Sequence, residues 1–501
     1  MTRVRPRPAR LAVAAATVVV AVIGSACTSS GVDAQTAAVR DTSNVTLKTS
    51  CTKSLCSGKR SGAPFVIQVP SDNSQWNGTL LLWSHAYRAA EPVPSNPLNP
   101  SQLTPVDRTA QDAPSSDLAN VLLAQGFALA GSSGATNGWD TVDGVNADKD
   151  LYSYFSKTFG TPKRVYLWGV STGALTVQML AEQHPEWVSG VAPLCGPLSG
   201  TNRTLDLALD VAYAVKTLVA PKLELTGYKS INEADSQWTY ATNALVAAAN
   251  KADLADIFAI AAIAGAPDPP RTDMFDASSL EVQVEGAVQT IVTALQTSTQ
   301  VRYDVEQRVG GNPSQNTGVD YGKRIGSQFS PLIGNQLSSI TAKLAAGTRV
   351  SADSAARSKA DTLGNPTGSV QRPTITMHTG YDAAYPVQNE NYFGTQVATH
   401  ADGGRLVQVY TGPPTKYTQA PYGAGTCNFT PVEIAGVMQL LDNWVRYAVY
   451  AGPGAVALAF NYAVNTTDSS KNNPSTIAAG KANTGYDPNF APPPWPGTGS
   501  G

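Results

Sequence analysis

The chain has 501 residues, with 35 Lys and Arg against 37 Asp and Glu. That balance gives no electrostatic case for nucleic acid or for an anionic membrane surface. Charged residues are 14% of the chain and hydrophobic ones 42%, against about 25% charged in an ordinary globular domain. The composition is that of a well-cored protein and excludes disorder over most of the length.

The N-terminus is read as an export signal covering residues 1–26. Arg3, Arg5, Arg7 and Arg10 precede an apolar stretch from Leu11 to Ile23, too short for a comfortable span, and Gly24-Ser25-Ala26 follow. Cys27 comes next, in the manner of a lipoprotein signal, although Gly24 stands where that pattern prefers Leu. Two destinations stay open, secretion or the cell envelope, with a lipid on Cys27 as the sole membrane attachment. Residues 27–61 are polar and read as a tether. Without Cys27 four cysteines remain, an even number suited to an oxidising compartment. Cys51 and Cys56 are close enough for a local loop, while Cys195 and Cys427 are far apart; four free thiols is the alternative. No cysteine spacing resembles a zinc site. Only His85, His184, His378 and His400 could serve a metalloenzyme, so neither metal nor cofactor is expected.

Strand-like runs begin at Phe65 to Val69 and Thr79 to Ser84. The second is continuously apolar, as a strand buried on both faces of a parallel sheet must be. A helix near Leu118 to Gln125, a strand at Phe127 to Gly131 and a helix from Val145 to Phe159 follow, the last with Asp148, Lys149 and Asp150 on its wet side. Then come a strand at Arg164 to Trp168, a helix at Ala174 to Gln183 and a strand at Val188 to Leu194. This alternation predicts a doubly wound, mostly parallel α/β sheet. From 197 to 372 only helices are predicted: Leu205 to Leu223, Asn243 to Ala264, Leu280 to Leu295 and Gln336 to Ala346. The apolar cluster Ile257, Phe258, Ile260 and Ile263 reads as core. Strands resume at Thr374 to His378 and Leu406 to Tyr410, before an amphipathic helix from Pro431 to about Tyr450. The expected organisation is therefore a sheet domain from 62–196 and 373–451, a large helical cap at 197–372, and a Gly/Pro/Asn-rich tail, 452–501, with little order.

Gly169-Val170-Ser171-Thr172-Gly173 lies between a strand and a helical pattern. A G-x-S-x-G turn there forces the serine into a tight bend that exposes its hydroxyl, and the helix N-terminus favours negative charge beside it. Ser171 is the expected nucleophile. The stretch from Phe65 to Ala448 resembles a family of secreted actinobacterial α/β-hydrolases, serine esterases or lipase-like enzymes with a helical cap. The likeness is strongest at Trp168 to Gly173, at Glu186 to Gly190 through Cys195-Gly196, and at His378 to Pro386. The resemblance implies an α/β-hydrolase fold, a carboxylic ester as small-molecule substrate (less readily an amide), and an acyl-enzyme on Ser171. It implies oxyanion donors from the backbone N–H of Thr172 and from Ala86 or Tyr87, in Ser84-His85-Ala86-Tyr87 where many such enzymes carry His-Gly. It also implies Asp382 as the acid.

The base departs from the pattern. Such hydrolases carry Gly-His-Cys after the last strand, whereas this chain has Gly425-Thr426-Cys427. Threonine cannot take a proton at neutral pH, so an unassisted serine would be poorly activated. Among the histidines, His378 just ahead of Asp382 is the chosen substitute and His85 the second. The alternative reading is a catalytically impaired hydrolase fold that binds a ligand. Cys195 after the strand that follows the elbow, and Cys427 in the last loop, should share one sheet edge and pair.

Overall fold

The computed structural model describes residues 49–72, 75–251, 254–267, 279–400, 403–412, 426–427, 429–466 and 486–496. The signal segment and Cys27 lie outside them, as do Gly425 and Asn428. Among the described residues eleven strands form: β1 (Ser50–Cys51), β2 (Leu55–Arg60), β3 (Ala63–Gln68), β4 (Thr79–Ser84), β5 (Val93–Pro94), β6 (Leu103–Thr104), β7 (Ala128–Ser132), β8 (Arg164–Val170), β9 (Gly190–Leu194), β10 (Thr374–Thr379) and β11 (Leu406–Thr411). Nine of them make one sheet in the order β1-β2-β3-β7-β4-β8-β9-β10-β11. Pairing is parallel from β7 through β11 and antiparallel among β1, β2, β3 and β7.

The central strands alternate between two buried faces. Leu80, Leu82, Val165 and Leu167 face a cluster with Val145, Leu151, Phe155, Val177 and Leu180. These come from α2 (Thr141–Phe159) and α3 (Thr172–Gln183), after α1 (Ser116–Ala124). Leu81, Trp83, Tyr166 and Trp168 face Leu118 of α1 and residues such as Val437, Met438 and Leu441 from the far end of the chain. Helices on both faces explain why these strands read as unbroken apolar runs. This is an α/β-hydrolase fold.

Among the described residues between β9 and β10 only helices form: α4 (Thr201–Leu218), α5 (Ile231–Ala249), α6 (Ala255–Ala264), α7 (Leu280–Gln296), α8 (Arg302–Val309), α9 (Tyr321–Ile325), α10 (Ser330–Ile333), α11 (Leu337–Ala346) and α12 (Ser354–Leu363). They bury their own core around α6, whose Ile257, Phe258, Ile260 and Ile263 are fully enclosed. The predicted helix from Asn243 to Ala264 is two helices, α5 stopping at its cap Asn250. Trp139 fastens the helical block to the sheet domain: its indole donates to Thr201 Oγ1 at 2.8 Å and its N–H to Asp304 Oδ2 at 2.6 Å.

The chain finishes with α13 (Gln388–Ala398), α14 (Pro431–Tyr447) and α15 (Pro453–Thr466). A capping box between Thr430 and Glu433, with Pro431 at the first turn, starts α14. Three features depart from the sequence expectations. Part of the stretch read as a tether forms β2, because Cys56 packs inward with Phe65 and Ile67. The tail forms α15, whose Val456 and Phe460 lie on α14 where Gly436 leaves room. Asp148, placed on the wet side of α2, is buried and accepts a 2.5 Å hydrogen bond from Ser84 Oγ; burial pushes its carboxyl up to about 7.

Two disulfides are present, Cys51–Cys56 and Cys195–Cys427, the latter with Cα atoms 5.4 Å apart. They are compatible with an extracellular protein. Among the described residues no helix is long and apolar enough to cross a membrane.

Candidate active site

Parallel pairing lines up the C-terminal ends of the strands. Ser84 sits opposite Gly169 and Ser132, Val170 opposite Leu194, and Met377 opposite Leu194. Ser171, Ala86 and Asp382 lie on turns leaving that edge, Thr172 opens α3, and His378 lies inside β10.

Ser171 joins β8 to α3 with φ 57° and ψ −126°. A side chain held there at positive φ is strained by about 1–3 kcal/mol and persists only where its surroundings enforce it. They do so from three sides. Ser171 N–H donates to Leu194 O at 3.0 Å, which ties the turn to β9. A Cβ on Gly169 would come within 2.6 Å of Gly173 O, and one on Gly173 would collide with the carbonyls of Ser84 and His85. Glycine is thus required at both positions by close backbone approach. Thr172 opens α3, so its N–H has no acceptor within the helix. The Thr172 hydroxyl is buried without a hydrogen-bond partner.

The loop after β4 abuts the elbow. His85 Nδ1 donates to the carbonyl of Ala86 at 2.6 Å, orienting that peptide. Burial, with Arg88 adding to it, pushes the His85 imidazole down to about 4, so it is neutral at pH 7. Its bonding suits support of the loop.

Asp382 lies beyond β10 and is almost wholly buried. Its Oδ1 accepts from the N–H groups of Ala384 and Tyr385 at 2.8 and 2.9 Å, and from Thr426 Oγ1 at 2.5 Å. Its Oδ2 accepts from Cys427 N–H at 2.8 Å. The Cys195–Cys427 bridge holds this loop beside β9. Both cysteines need positive φ, 47° and 53°, so the turn around Asp382 is as constrained as the elbow. Cys195, Asp382 and Cys427 also place their ligating atoms within 4.8 Å of one another, but both sulfurs are committed to the disulfide.

Thr426 therefore spends its hydroxyl on the Asp382 carboxylate. His378 is fully buried and spends both ring nitrogens elsewhere: Nδ1 on Glu390 Oε1 at 3.2 Å and Nε2 on the carbonyl of Tyr385 at 2.8 Å. It stands 4.0 Å from Asp382 Oδ2. Burial opposes its charge, yet Glu390, helped by Asp382, holds the imidazole above its ordinary value of 6.5. His184 bonds Glu186 at the end of α3, and His400 bonds the carbonyl of Thr367.

Two residues of this site escape a reading of the sequence. The Tyr385 hydroxyl is hydrogen-bonded to Ser171, and burial raises its pKa so that it stays protonated. Glu390, in α13, also accepts from Thr376 Oγ1 at 2.5 Å. The tyrosine had a signal in the Tyr385-Pro386 pair after Asp382; the glutamate had none.

Residues 63–325 match the tannase-like family of unknown function (DUF6351), more than half of the 501-residue chain. The chain belongs to that family. The match holds the elbow, whereas Asp382 and Thr426 lie beyond it. No curated protein is matched. Solved structures similar to this tannase-like chain include the rice cell wall degrading esterase LipA from Xanthomonas oryzae, at 15% identity, TM-score 0.32, over 70% of this chain and 78% of that one. Feruloyl esterase B from Aspergillus oryzae is 13% identical with TM-score 0.35, over 79% and 80%. Another esterase from Aspergillus oryzae is 11% identical with TM-score 0.39, over 79% and 80%.

Proposed function

We propose that this chain is an exported hydrolase that cleaves carboxylic esters through an acyl-enzyme on Ser171. Its strained elbow carries the reading, because a non-glycine residue at φ 57° beside two obligatory glycines has no structural use in a plain strand-to-helix turn. In this reading Ser171 attacks the ester carbonyl, and the N–H groups of Thr172 and Ala86 stabilise the oxyanion. The Tyr385 hydroxyl orients the nucleophile, and Asp382 is the acid of an incomplete triad. His378 is a positioning residue for Asp382 and Tyr385, since an imidazolium with both N–H groups donated has no lone pair for the serine proton. Residues 197–372 would act as a cap, with 62–196 and 373–451 as the sheet domain. Export, on the pattern of secreted actinobacterial hydrolases, rests on the first 26 residues and the two disulfides, with Cys27 as the optional lipid site.

Without a base, turnover rests on orientation and oxyanion stabilisation, which alone keep about 10³–10⁴-fold over water in a triad enzyme stripped of its triad. Thr426 favours a second reading, a binding protein that retains the hydrolase site. Hydrolysis of p-nitrophenyl acetate by the wild type and by Ser171→Ala separates the two. A rate lost in the variant supports the enzyme; equal inertness of both proteins supports binding alone.

A further inference from the structure

We propose that Trp495, on the tail, is the wall that limits the size of the group able to reach Ser171. This rests on the hydrolase reading above. A small cavity lies between the helical block and the Asp382 turn, lined by Ala208 of α4, Ala264 of α6, Ala294 of α7, Ala384, Tyr385 and Trp495 among others. Tyr385 both lines this cavity and hydrogen-bonds Ser171, so the space adjoins the reacting hydroxyl. Among the described residues no charged side chain lines it. Its threonine hydroxyls are donated to their own helices, Thr204 to Gly200 O at 2.8 Å and Thr290 to Gly286 O at 3.0 Å. The chemistry that fits is a compact, uncharged acyl group.

Small residues and one fixed tyrosine make up most of that lining, and the other large ring comes from far along the chain. Trp495 is 8% exposed and its segment is anchored along its length. Asp487 N–H donates to Tyr410 O at 2.9 Å, and Tyr486 bridges Thr411. Phe490 packs on Tyr410 at 5.2 Å and lies over Gly380, where a Cβ would come within 2.8 Å of its ring. Asn391 donates to Pro492 O at 3.1 Å, and Trp495 meets the Tyr392 ring edge to face at 6.0 Å. A ring held in this way is a fixed boundary, and removing it lengthens the cavity without touching Ser171, Asp382 or Tyr385.

The test uses the full chain carrying Ala208→Cys as a reporter inside the cavity, modified with benzyl methanethiosulfonate and compared with protein lacking the added cysteine. Trp495→Ala should speed modification at least about tenfold, and Trp495→Phe should restore most of the protection, with thermal melts showing that each variant folds. In parallel, Trp495→Ala should raise the p-nitrophenyl octanoate to acetate ratio of kcat/KM at least about tenfold. Labelling unchanged by Trp495→Ala overturns the wall, whatever the ester rates. Faster labelling in a protein that cleaves no ester supports the wall and sinks only the hydrolase reading.

Discussion

His85 directly follows β4 and His378 lies near the end of β10, both toward the strand edge that carries Ser171, and their surroundings drive them in opposite directions. His85 meets burial and Arg88 and is pushed down to about 4, too weak a base to draw a proton from a hydroxyl. His378 meets burial and two carboxylates, and Glu390 raises its proton affinity while its ring nitrogens are bonded to Glu390 and to the Tyr385 carbonyl. One imidazole has lost its proton affinity and the other has already used it. A general base needs a pKa near the operating pH and a free nitrogen toward the nucleophile; His85 lacks the first and His378 the second. A histidine close to a nucleophile is thus no evidence of a base until its neighbours are counted.

The largest effect expected from this contrast is at Thr426. Thr426→His would set an imidazole on Asp382 with a free nitrogen toward Ser171, and general-base assistance is worth about 10²–10⁴-fold. The kcat for p-nitrophenyl acetate should rise by that order. His378→Asn and His85→Asn in the wild-type background should each leave the rate within about tenfold. A wild type that turns over briskly and loses activity only with His378→Asn would break the comparison.

Next in size is Glu390→Gln. Removing one partner of a buried ion pair costs about 3–5 kcal/mol, to be read by denaturant unfolding. The sign with pH is set by the raised His378 pKa. Its stabilising share is fully present below the ordinary value of 6.5 and is lost as pH rises through the higher folded value. Glu390→Gln should flatten that slope; an unchanged slope would mean that His378 is neutral in the folded protein.

The smallest effect is at His85, where the pH dependence runs the other way. Its folded value of about 4 lies below 6.5, so stability should decline as pH falls between those two values. His85→Gln should remove that decline, and an NMR titration of His85 near 6.5 would contradict the burial argument.

Much of this was legible in the sequence, for reasons that also set its limits. The sheet could be read because strands buried on both faces leave runs such as Thr79–Ser84 without polar interruption. The elbow could be read because close backbone approach demands Gly169 and Gly173, and the shared strand edge brought Cys195 to Cys427. The site of Asp148 could not be read, since its charged neighbours Lys149 and Asp150 suggested a solvent face, and only a hydroxyl at the end of β4 draws it inward. Nor could the role of His378, which depends on Glu390 twelve residues later, across a turn. Order in the tail was hidden because Val456 and Phe460 find their partner only through the gap at Gly436, a contact without local pattern.

The two outer margins of the sheet share a property with consequences in concentrated solution. An open strand margin offers unpaired N–H and carbonyl groups on which another chain can add. Here one margin ends in β1, two residues long and clasped to β2 by the Cys51–Cys56 bridge. The other ends in β11, where Tyr486 pairs with Thr411 and Asp487 caps Tyr410. The first margin carries only a two-residue outer strand, and the second is occupied at its C-terminal end. In concentrated solution these short and bridged margins favour resistance to edge-to-edge polymerisation, independently of what the site does.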